Sequence, residues 1–272
     1  MRVGFQGEPG AYSEEAALAL FPDASTAGYE TFSRVFDALA SRAVDVAVLP
    51  VENSLGGIVQ EVNDLLWERS GARVSGEHVH PVRHCLLGRG EPIVRALSHP
   101  QALAQCRLWL EARGIAAVTF PDTAGAARAV SEGMVAGTGA IASAAAARRY
   151  GLKVMAEGIQ DDDSNQTRFL VVDRGAPARP GSSPSFRRSS LAFVTAHKPG
   201  GLVSALTCFA ERGVNLTRLD SRPMRDRPWQ YRFYVDLEIA DSKVAEEALV
   251  ALEAEASEVK LFGSWGPVEA AS

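Results

Sequence analysis

Short apolar runs alternate with longer amphipathic stretches from the first residue to Val172. "RVGFQ" is strand-like and is followed by a helix from about Ser13 to Leu20. Thr31 stands where an N-cap belongs, ahead of a helix from Phe32 to Ser41 that carries Phe32, Val35, Phe36 and Leu39 on one face. "DVAVLPVE" reads as a strand covered on both faces, and "GGIVQEVNDLLWE" as an amphipathic helix. The same rhythm continues through "IVRALSHP", one helix over "QALAQCRLWLEARG", the strand "AAVTF", the helix "DTAGAARAVSEG", the strand "GAIAS" and the helix "AAAARRYG". Such alternation predicts parallel sheets covered by helices, with ligands bound beyond the carboxyl ends of the strands.

The pattern breaks at "RGAPARPGSSPSFRRSS", which is rich in Pro, Gly and Ser, lacks apolar periodicity and reads as a linker. Beyond it come a strand ("LAFVTAH"), a helix ("GLVSALTCFAERG"), two strands ("LTRLDSRPM" and "QYRFYVDLEI"), a helix ("SKVAEEALVALEAEA") and a last strand ("VKLFGSW"). This βαββαβ order is the ferredoxin-like plan. The expected organisation is α/β, with residues 1–174 as one domain, 175–190 as linker and 191–267 as a second domain.

Composition narrows the classes. The 272 residues, 46% of them hydrophobic, suffice for a large core, and a net charge of −5 leaves no basic footprint for nucleic acid. Lys153, Lys198, Lys243 and Lys260 are the only lysines, so almost every cation is an arginine. Cys85, Cys106 and Cys208 form no CxxC pair and no metal-ligand spacing, as expected of reduced thiols in the cytosol. "MRVGFQG" has no signal-peptide h-region, and no stretch approaches the roughly 20 apolar residues of a membrane span. A cytoplasmic protein without membrane or nucleic-acid partners is expected.

Polar residues gather at the strand ends. "GEPGAYS", "VENSLGG", "HPQ" and "PDTAG" each follow a strand, and several open a helix whose free N–H groups favour an anion. Ser13, Ser54 and Thr123 are also ordinary capping residues, which is the plainer reading of each loop alone. Four such loops together with "SNQT" suggest a cleft for a small anionic ligand.

These loops resemble the prephenate dehydratase family. The resemblance rests on "GEPGAYSEEAA", "PVENSLGGIV", "SHPQALAQC" and above all "NQTRFLVV" in that order, and it extends over nearly the whole chain. The C-terminal part is similar to a phenylalanine-sensing ACT domain, through "GGLV" and "DSRP". The resemblance implies two α/β lobes of periplasmic-binding-protein type (type II) with the active site between them, followed by the ferredoxin-like ACT domain. It implies conversion of prephenate to phenylpyruvate with loss of water and carbon dioxide, without cofactor or metal, under control of phenylalanine in a homodimer or homotetramer.

Carried over by position, Thr167 is the catalytic threonine, with Asn165, Arg168 and Phe169 around it. A threonine hydroxyl is too weak an acid to act alone, so a hydrogen bond or proton relay to the departing oxygen is expected. Strand alternation puts Thr167 and Phe169 on one face and Arg168 on the other, where Asp161 to Asp163 could pair with it. Ser13, Asn53, Ser54, Ser98, Gln101 and Thr123 are expected to bind substrate as neutral groups, and Glu52 to orient its neighbours. His99, at a helix entry beside Pro100, reads as structural more readily than as an acid. The resemblance places phenylalanine against Gly200, Gly201, Leu202, Val203, Asn215, Leu216, Asp220, Ser221, Arg222 and Pro223. Asp220 stands where glutamate is usual, and the shorter acid is expected to alter ammonium recognition. Two alternatives stay open: arogenate as substrate, giving phenylalanine directly, and a non-catalytic amino-acid-sensing binding protein.

Overall fold

The computed structural model describes residues 1–224 and 227–266, so Pro267, the expected end of the second domain, lies outside the described residues. The described residues divide into two compact units: Met1–Val62 with His78–Phe169, and Asn63–Glu77 with the described residues from Leu170 to Gly266.

The first sheet is built from β1 (Arg2–Gln6), β2 (Ser25–Tyr29), β3 (Val46–Asn53), the short β4 (Gly57–Ile58) and β5 (Ala72–Pro81), with α1 (Tyr12–Leu20), α2 (Phe32–Ala40) and α3 (Gln60–Glu68) between them. The chain then crosses to a second sheet. This holds β6 (Cys85–Gly88), β7 (Arg95–Ser98), β8 (Ala116–Thr119), β9 (Thr138–Ala142) and β10 (Lys153–Glu157), and its helices are α4 (Pro100–Gln105), α5 (Arg107–Glu111), α6 (Thr123–Gly133) and α7 (Ala144–Tyr150). It returns as β11 (Gln166–Arg174) to complete a first sheet of order β2-β1-β3-β11-β5, with β4 on β3. β5 runs from the second unit into the first, and β11 from the first into the second. Two lobes joined by two crossings are therefore present.

The sheets are mixed rather than parallel. β1 pairs in parallel with β2 and β3, and β7 with β8 and β9, but β6 is antiparallel to both β9 and β10. β6 and β10 are the strands by which the chain enters and leaves the second lobe, and neither stands out as a strand in the sequence. That second sheet has the order β10-β6-β9-β7-β8, and its inner strands β6, β9 and β7 are buried on both faces. Leu87, Leu97 and Ala140 meet Ala126, Val130 and Ala147 on one side, whereas Leu86, Ala96 and Ile141 meet Leu103, Cys106 and Leu110 on the other. Each fully buried aliphatic side chain of this kind contributes roughly 1.5–3 kcal/mol.

The single helix expected over "QALAQCRLWLEARG" is two. The backbone breaks at Cys106 because the return crossing docks there: Asp161 N–H donates to the Gln105 carbonyl, and the Asp161 carboxylate accepts from Leu108 N–H. The Thr31 cap forms as expected, its hydroxyl accepting from Arg34 N–H.

In the second unit the predicted βαββαβ order is present as β12 (Arg188–Val194), α8 (Gly201–Ala210), β13 (Asn215–Pro223), β14 (Tyr231–Glu238), α9 (Ser242–Glu255) and β15 (Glu258–Trp265), in an antiparallel sheet of order β13-β14-β12-β15. Leu191, Phe193, Val235 and Leu237 pack under α8 and α9. The segment read as a linker includes a 3-10 turn at Pro180–Ser182, and Arg179 ahead of it bonds both Glu246 and Glu253 of α9. Residues 63–77 pack on the other face of this sheet: Asp64 accepts from Arg222 at 2.8 Å, Asn63 from Arg218, and Arg232 lies over the Trp67 ring. Cys85, Cys106 and Cys208 are free thiols, and among the described residues no helix is long and apolar enough to cross a membrane.

Candidate active site

A cavity of about 280 Å³ opens in the first unit, between the strand-end loops of the two lobes. The first lobe contributes Gln6, Gly7, Ala11, Tyr12 and Ser13 from the loop after β1, and Pro50, Asn53 and Val59 around the end of β3. The second contributes His99, Gln101, Ala102 and Gln105 from the entry and end of α4, with Asp122 and Thr123 at the entry of α6. Val82, His84, Thr167 and Phe169 come from the two crossings. The lobes meet beside it, where Ser143 and Tyr150 donate to the carbonyls of Gly10 and Pro9 at 2.9 and 2.7 Å.

The expected site residues separate into two groups. Ser13, Asn53, Gln101, Thr123, Thr167 and Phe169 line the cavity. Thr167 and Phe169 do so together while Arg168 does not, as alternation along a strand requires. Glu52, Ser54, Ser98 and Asn165 are not part of the lining, and each has another task. The Ser98 hydroxyl is fully buried and donates to the Ile141 carbonyl at 2.6 Å, tying β7 to β9. Ser54 holds the return crossing, its hydroxyl donating to Ser164 O and accepting from Gln166 N–H. Glu52 pairs with Ile58 in the β3–β4 turn. Asn165 is buried beneath the floor, bridging Asn53 and Gln105.

The capping explanation also fails where it was plainest. α1 starts from Ala11 without a side-chain cap, and α6 is capped by Asp122, whose carboxylate accepts from Gly125 N–H. Neither Ser13 nor Thr123 is the cap residue of its helix. Ser54 caps none. His99 does cap α4, its Nδ1 accepting from Gln101 N–H. Tyr12, His84, Gln105 and Asp122 were not singled out from the sequence. Tyr12 and Gln105 lie inside the quoted motifs, but nothing in "PVRHC" marks His84.

Asn53 organises the Thr167 side of the cavity. Its Oδ1 accepts from Leu55 and Gly56 N–H at 3.1 and 2.7 Å, and its Nδ2 lies 2.9 Å from both Thr167 Oγ1 and Asn165 Oδ1. Thr167 Oγ1 is thus an acceptor toward Asn53, which leaves its hydrogen for another acceptor. Gly56 leaves room for Gln101: a Cβ there would collide with the Gln101 amide nitrogen and push that side chain aside. Phe169 is buried, with its ring edge-on to His80 at 6.4 Å, and forms apolar wall.

The floor is electrically neutral. Burial pushes the Tyr12 hydroxyl well up, aided by Glu15, pushes the Cys106 thiol beside it up to about 12, and lowers His84. Asp122 is the one Asp, Glu, Lys or Arg among the lining residues. An anionic ligand would be met by amides, hydroxyls and helix N-termini instead of by arginines. The three aspartates of the return crossing stay outside: Asp161 caps α5, Asp162 accepts from Ser164 N–H, and Asp163 pairs with Arg83 at 2.7 Å.

A second cavity of about 230 Å³ lies in the second unit, lined by Gly200, Gly201, Leu202 and Val203 with Thr195, His197, Trp229, Tyr231 and Phe233. Gly200 has φ +81°, and a Cβ on Gly201 would meet the Ala196 carbonyl at 2.5 Å, so the α8 entry demands both glycines. The other expected effector residues divide by strand face. Ser221 pairs with Phe233, on the side of this cavity. Asp220 pairs with Tyr234 and Arg222 with Arg232, on the opposite face, where Arg222 and Tyr234 both bond Asp64. Within this chain, Asp220 and Arg222 therefore do not face the Gly200–Val203 cavity. Asn215 bonds Glu238, Leu216 packs in the helix-side core, and Pro223 ends the strand opposite Tyr231.

The family profile for prephenate dehydratase matches residues 3–177. The chain belongs to the prephenate dehydratase family. It is 42% identical over 285 residues to arogenate dehydratase/prephenate dehydratase 1 of Arabidopsis thaliana, covering 97% of this chain and 72% of that one. Among solved structures it is similar to prephenate dehydratase from Arthrobacter aurescens in complex with L-Phe (TM-score 0.88, 29% identity, 100% and 92% coverage). It is similar as well to GqqA, a quorum-quenching acylase (TM-score 0.87, 32% identity, 98% of both chains). The fold is that of prephenate dehydratases, and the activity is a prephenate/arogenate dehydratase activity of phenylalanine biosynthesis, catalysed by a carbon–oxygen lyase.

Proposed function

We infer that the 280 Å³ cavity is where prephenate becomes phenylpyruvate and that Thr167 is the residue at the departing oxygen. The observation that carries this is the Asn53–Thr167 bond, which makes the hydroxyl oxygen an acceptor and so leaves its hydrogen for a ligand in the cavity. In the reaction, the bond from the ring to its carboxylate breaks and its electrons enter the ring as carbon dioxide leaves. The carbon–oxygen bond breaks with its pair on oxygen, which takes up a proton and departs as water. Thr167 supports that oxygen by hydrogen bonding or by relaying a proton, a role worth about 10²–10⁴-fold. Phe169 supplies apolar wall for the ring, Ser13, Gln101 and Thr123 supply polar groups for the two carboxylates, and Asn53 holds Thr167. Asn165 acts beneath them on Asn53. Fixing both anions beside the reacting bonds accounts for up to roughly 7–11 kcal/mol.

Residues 191–267 are assigned on this reading to an ACT domain that senses phenylalanine at the Gly200–Val203 cavity and lowers activity, with residues 1–174 as catalytic domain. The phenylalanine complex of the similar A. aurescens protein supports the effector. Pairing into homodimers or homotetramers is supported by β13, an edge strand with Leu219 exposed. A cytosolic setting is supported by the free thiols. Phenylpyruvate release from prephenate, measured with and without phenylalanine, tests the assignment; absence of release sinks it.

Asp122 favours arogenate as a second substrate, because it is an acidic lining residue and the ammonium of that compound calls for an acceptor. Side-by-side kcat/KM values for the two substrates decide, and Asp122→Asn should disfavour arogenate selectively. An acylase reaction finds less support. His84 bonds Tyr12 and Gln105, and His99 bonds backbone, so neither is seen activating a serine or threonine.

A further inference from the structure

Between Thr167 and the opposite side of the cleft floor runs an unbroken series of hydrogen bonds, and its direction can be worked out. It begins at the turn after β3. Asn53 Oδ1 accepts two backbone N–H groups, from Leu55 and Gly56, which fixes that carboxamide with its nitrogen toward Asn165 Oδ1, Thr167 Oγ1 and, at 3.0 Å, the Gln166 carbonyl, three acceptors that share its two hydrogens. An NH₂ group facing Asn165 requires Asn165 to present its oxygen, so the Asn165 nitrogen points away and donates to Gln105 Oε1 at 3.0 Å. Gln105 Oε1 is then the acceptor for the next neighbour also. That neighbour is His84 Nε2, 2.9 Å away, and it must carry a proton. Each orientation follows from the one before, and none is adjustable alone.

His84 closes the series. Its side chain is buried at 2% exposure, and burial lowers its pKa, so the ring is neutral. With the proton on Nε2, Nδ1 accepts from the Tyr12 hydroxyl at 2.8 Å. The Tyr12 oxygen also lies 2.9 Å from Arg83 O, but its one hydrogen can serve only one of the two. A ring protonated at Nδ1 instead would present a bare Nε2 to the Gln105 oxygen, leaving two acceptors face to face. Gln105 would then turn over, and Asn165 and Asn53 would lose their fixed sense.

We propose that His84 is a positioning residue for the dehydratase reaction: held as the neutral Nε2–H tautomer, it fixes Gln105 and Asn165 so that Asn53 keeps the Thr167 hydroxyl as donor toward the substrate. The proposal rests on the reading of Thr167 as donor to the departing oxygen. Nothing in the local sequence singles out this histidine, and its distance along the chain from Thr167 conceals the link.

Two measurements on the full-length protein test it. His84→Met keeps volume but removes the donor, and His84→Gln restores an N–H donor near Nε2 and an acceptor for Tyr12. His84→Met should lower kcat about 10²-fold, the order of loss expected from slight misplacement of a reacting group, with KM for prephenate little changed. His84→Gln should recover most of that loss. Native kcat in His84→Met, or equal impairment in both variants, overturns the proposal. Nitrogen NMR of histidine-labelled wild-type enzyme needs no variant to fold: His84 should show a protonated Nε2 and a bare Nδ1 through the active pH range. The opposite tautomer overturns the proposal. Failure of the underlying site reading is distinguishable, since Thr167→Ala would then remain active whatever His84 does.

Discussion

Thr167 and Asn53 are 114 residues apart in the chain, yet Asn53 Nδ2 donates to Thr167 Oγ1 at 2.9 Å. One lies at the end of a strand of the first lobe and the other on the return crossing from the second. Thr167→Ala should therefore lower kcat about 10²–10⁴-fold while prephenate still binds. Thr167→Ser, which keeps the hydroxyl, should retain far more. Turnover and equilibrium binding measured on the same preparations check this, and unchanged turnover in Thr167→Ala refutes the mechanism. Asn53→Ala should lower kcat as well and reduce stability by roughly 0.5–1.5 kcal/mol, since the exposed Leu55 and Gly56 N–H groups exchange their acceptor for water.

Ser98 separates motif membership from contact with the ligand. Its hydroxyl is spent on Ile141 O inside the second lobe. Ser98→Ala should cost roughly 1 kcal/mol of stability, the net value of a typical hydrogen bond, and lower Tm. KM for prephenate should stay near the wild-type value. A large rise in KM without loss of Tm would restore Ser98 to the binding site.

Much of this was legible in the chain because it depends on local patterning. The strands "RVGFQ" and "DVAVLPVE", the Thr31 cap and the βαββαβ order follow from apolar spacing and cap chemistry. What escaped depends on contacts between distant segments. β6 and β10 are short strands whose direction is set by where the chain enters and leaves the second lobe, so no local signal tells that they run antiparallel. The break at Cys106 is imposed by Asp161, which docks from the return crossing. The motif "DSRP" looks like one unit in sequence, but a strand sends alternate side chains to opposite faces. The loops do line one cavity, but which polar residue lines it and which braces it was decided by neighbours far away in sequence.

That split of "DSRP" leads to a prediction against the sequence-based expectation for Asp220. Since Asp220 and Arg222 lie on the face of residues 63–67, lengthening the acid by Asp220→Glu should leave phenylalanine affinity within about twofold. Leu202→Asp, at the Gly200–Val203 cavity, should abolish the response. Calorimetric titration with phenylalanine, alongside inhibition of phenylpyruvate release, compares the two. A large affinity change in Asp220→Glu with a native response in Leu202→Asp would move the effector to the other face.

Gly56 and Gln101 give a test of how the lobes shape the cavity. A methyl at position 56 would occupy the space of the Gln101 amide, whose side chain would have to swing aside. Gly56 does not require a left-handed backbone, so Gly56→Ala should fold. It should raise KM for prephenate more than it lowers kcat, because Gln101 lines the cavity and is displaced by the new methyl. Gln101→Ala should reproduce the KM effect. If Gly56→Ala has native kinetics, Gln101 does not bind substrate in the position seen.

Buried neutral histidines make stability depend on pH in a stated direction. Burial lowers His84 and, with help from His80, His78 beneath the ordinary value of 6.5. In the unfolded chain both rings take up protons as pH falls past that value, whereas in the folded protein they resist. The unfolded state then binds more protons, so the stabilisation is fully present above the ordinary imidazole pKa. It is lost as pH falls through the window between that value and the lowered folded one. Each histidine can add a slope of at most about 1.4 kcal/mol per pH unit within the window. Denaturant unfolding from pH about 7.5 to about 5.5 should show stability declining on acidification. His84→Gln, which cannot titrate, should show a shallower decline over the same range. Carboxylate titration is common to both proteins, so the difference in slope isolates His84. Equal slopes would mean that the folded His84 is protonated as readily as the unfolded one, and that the neutral ring at the cleft floor is wrong.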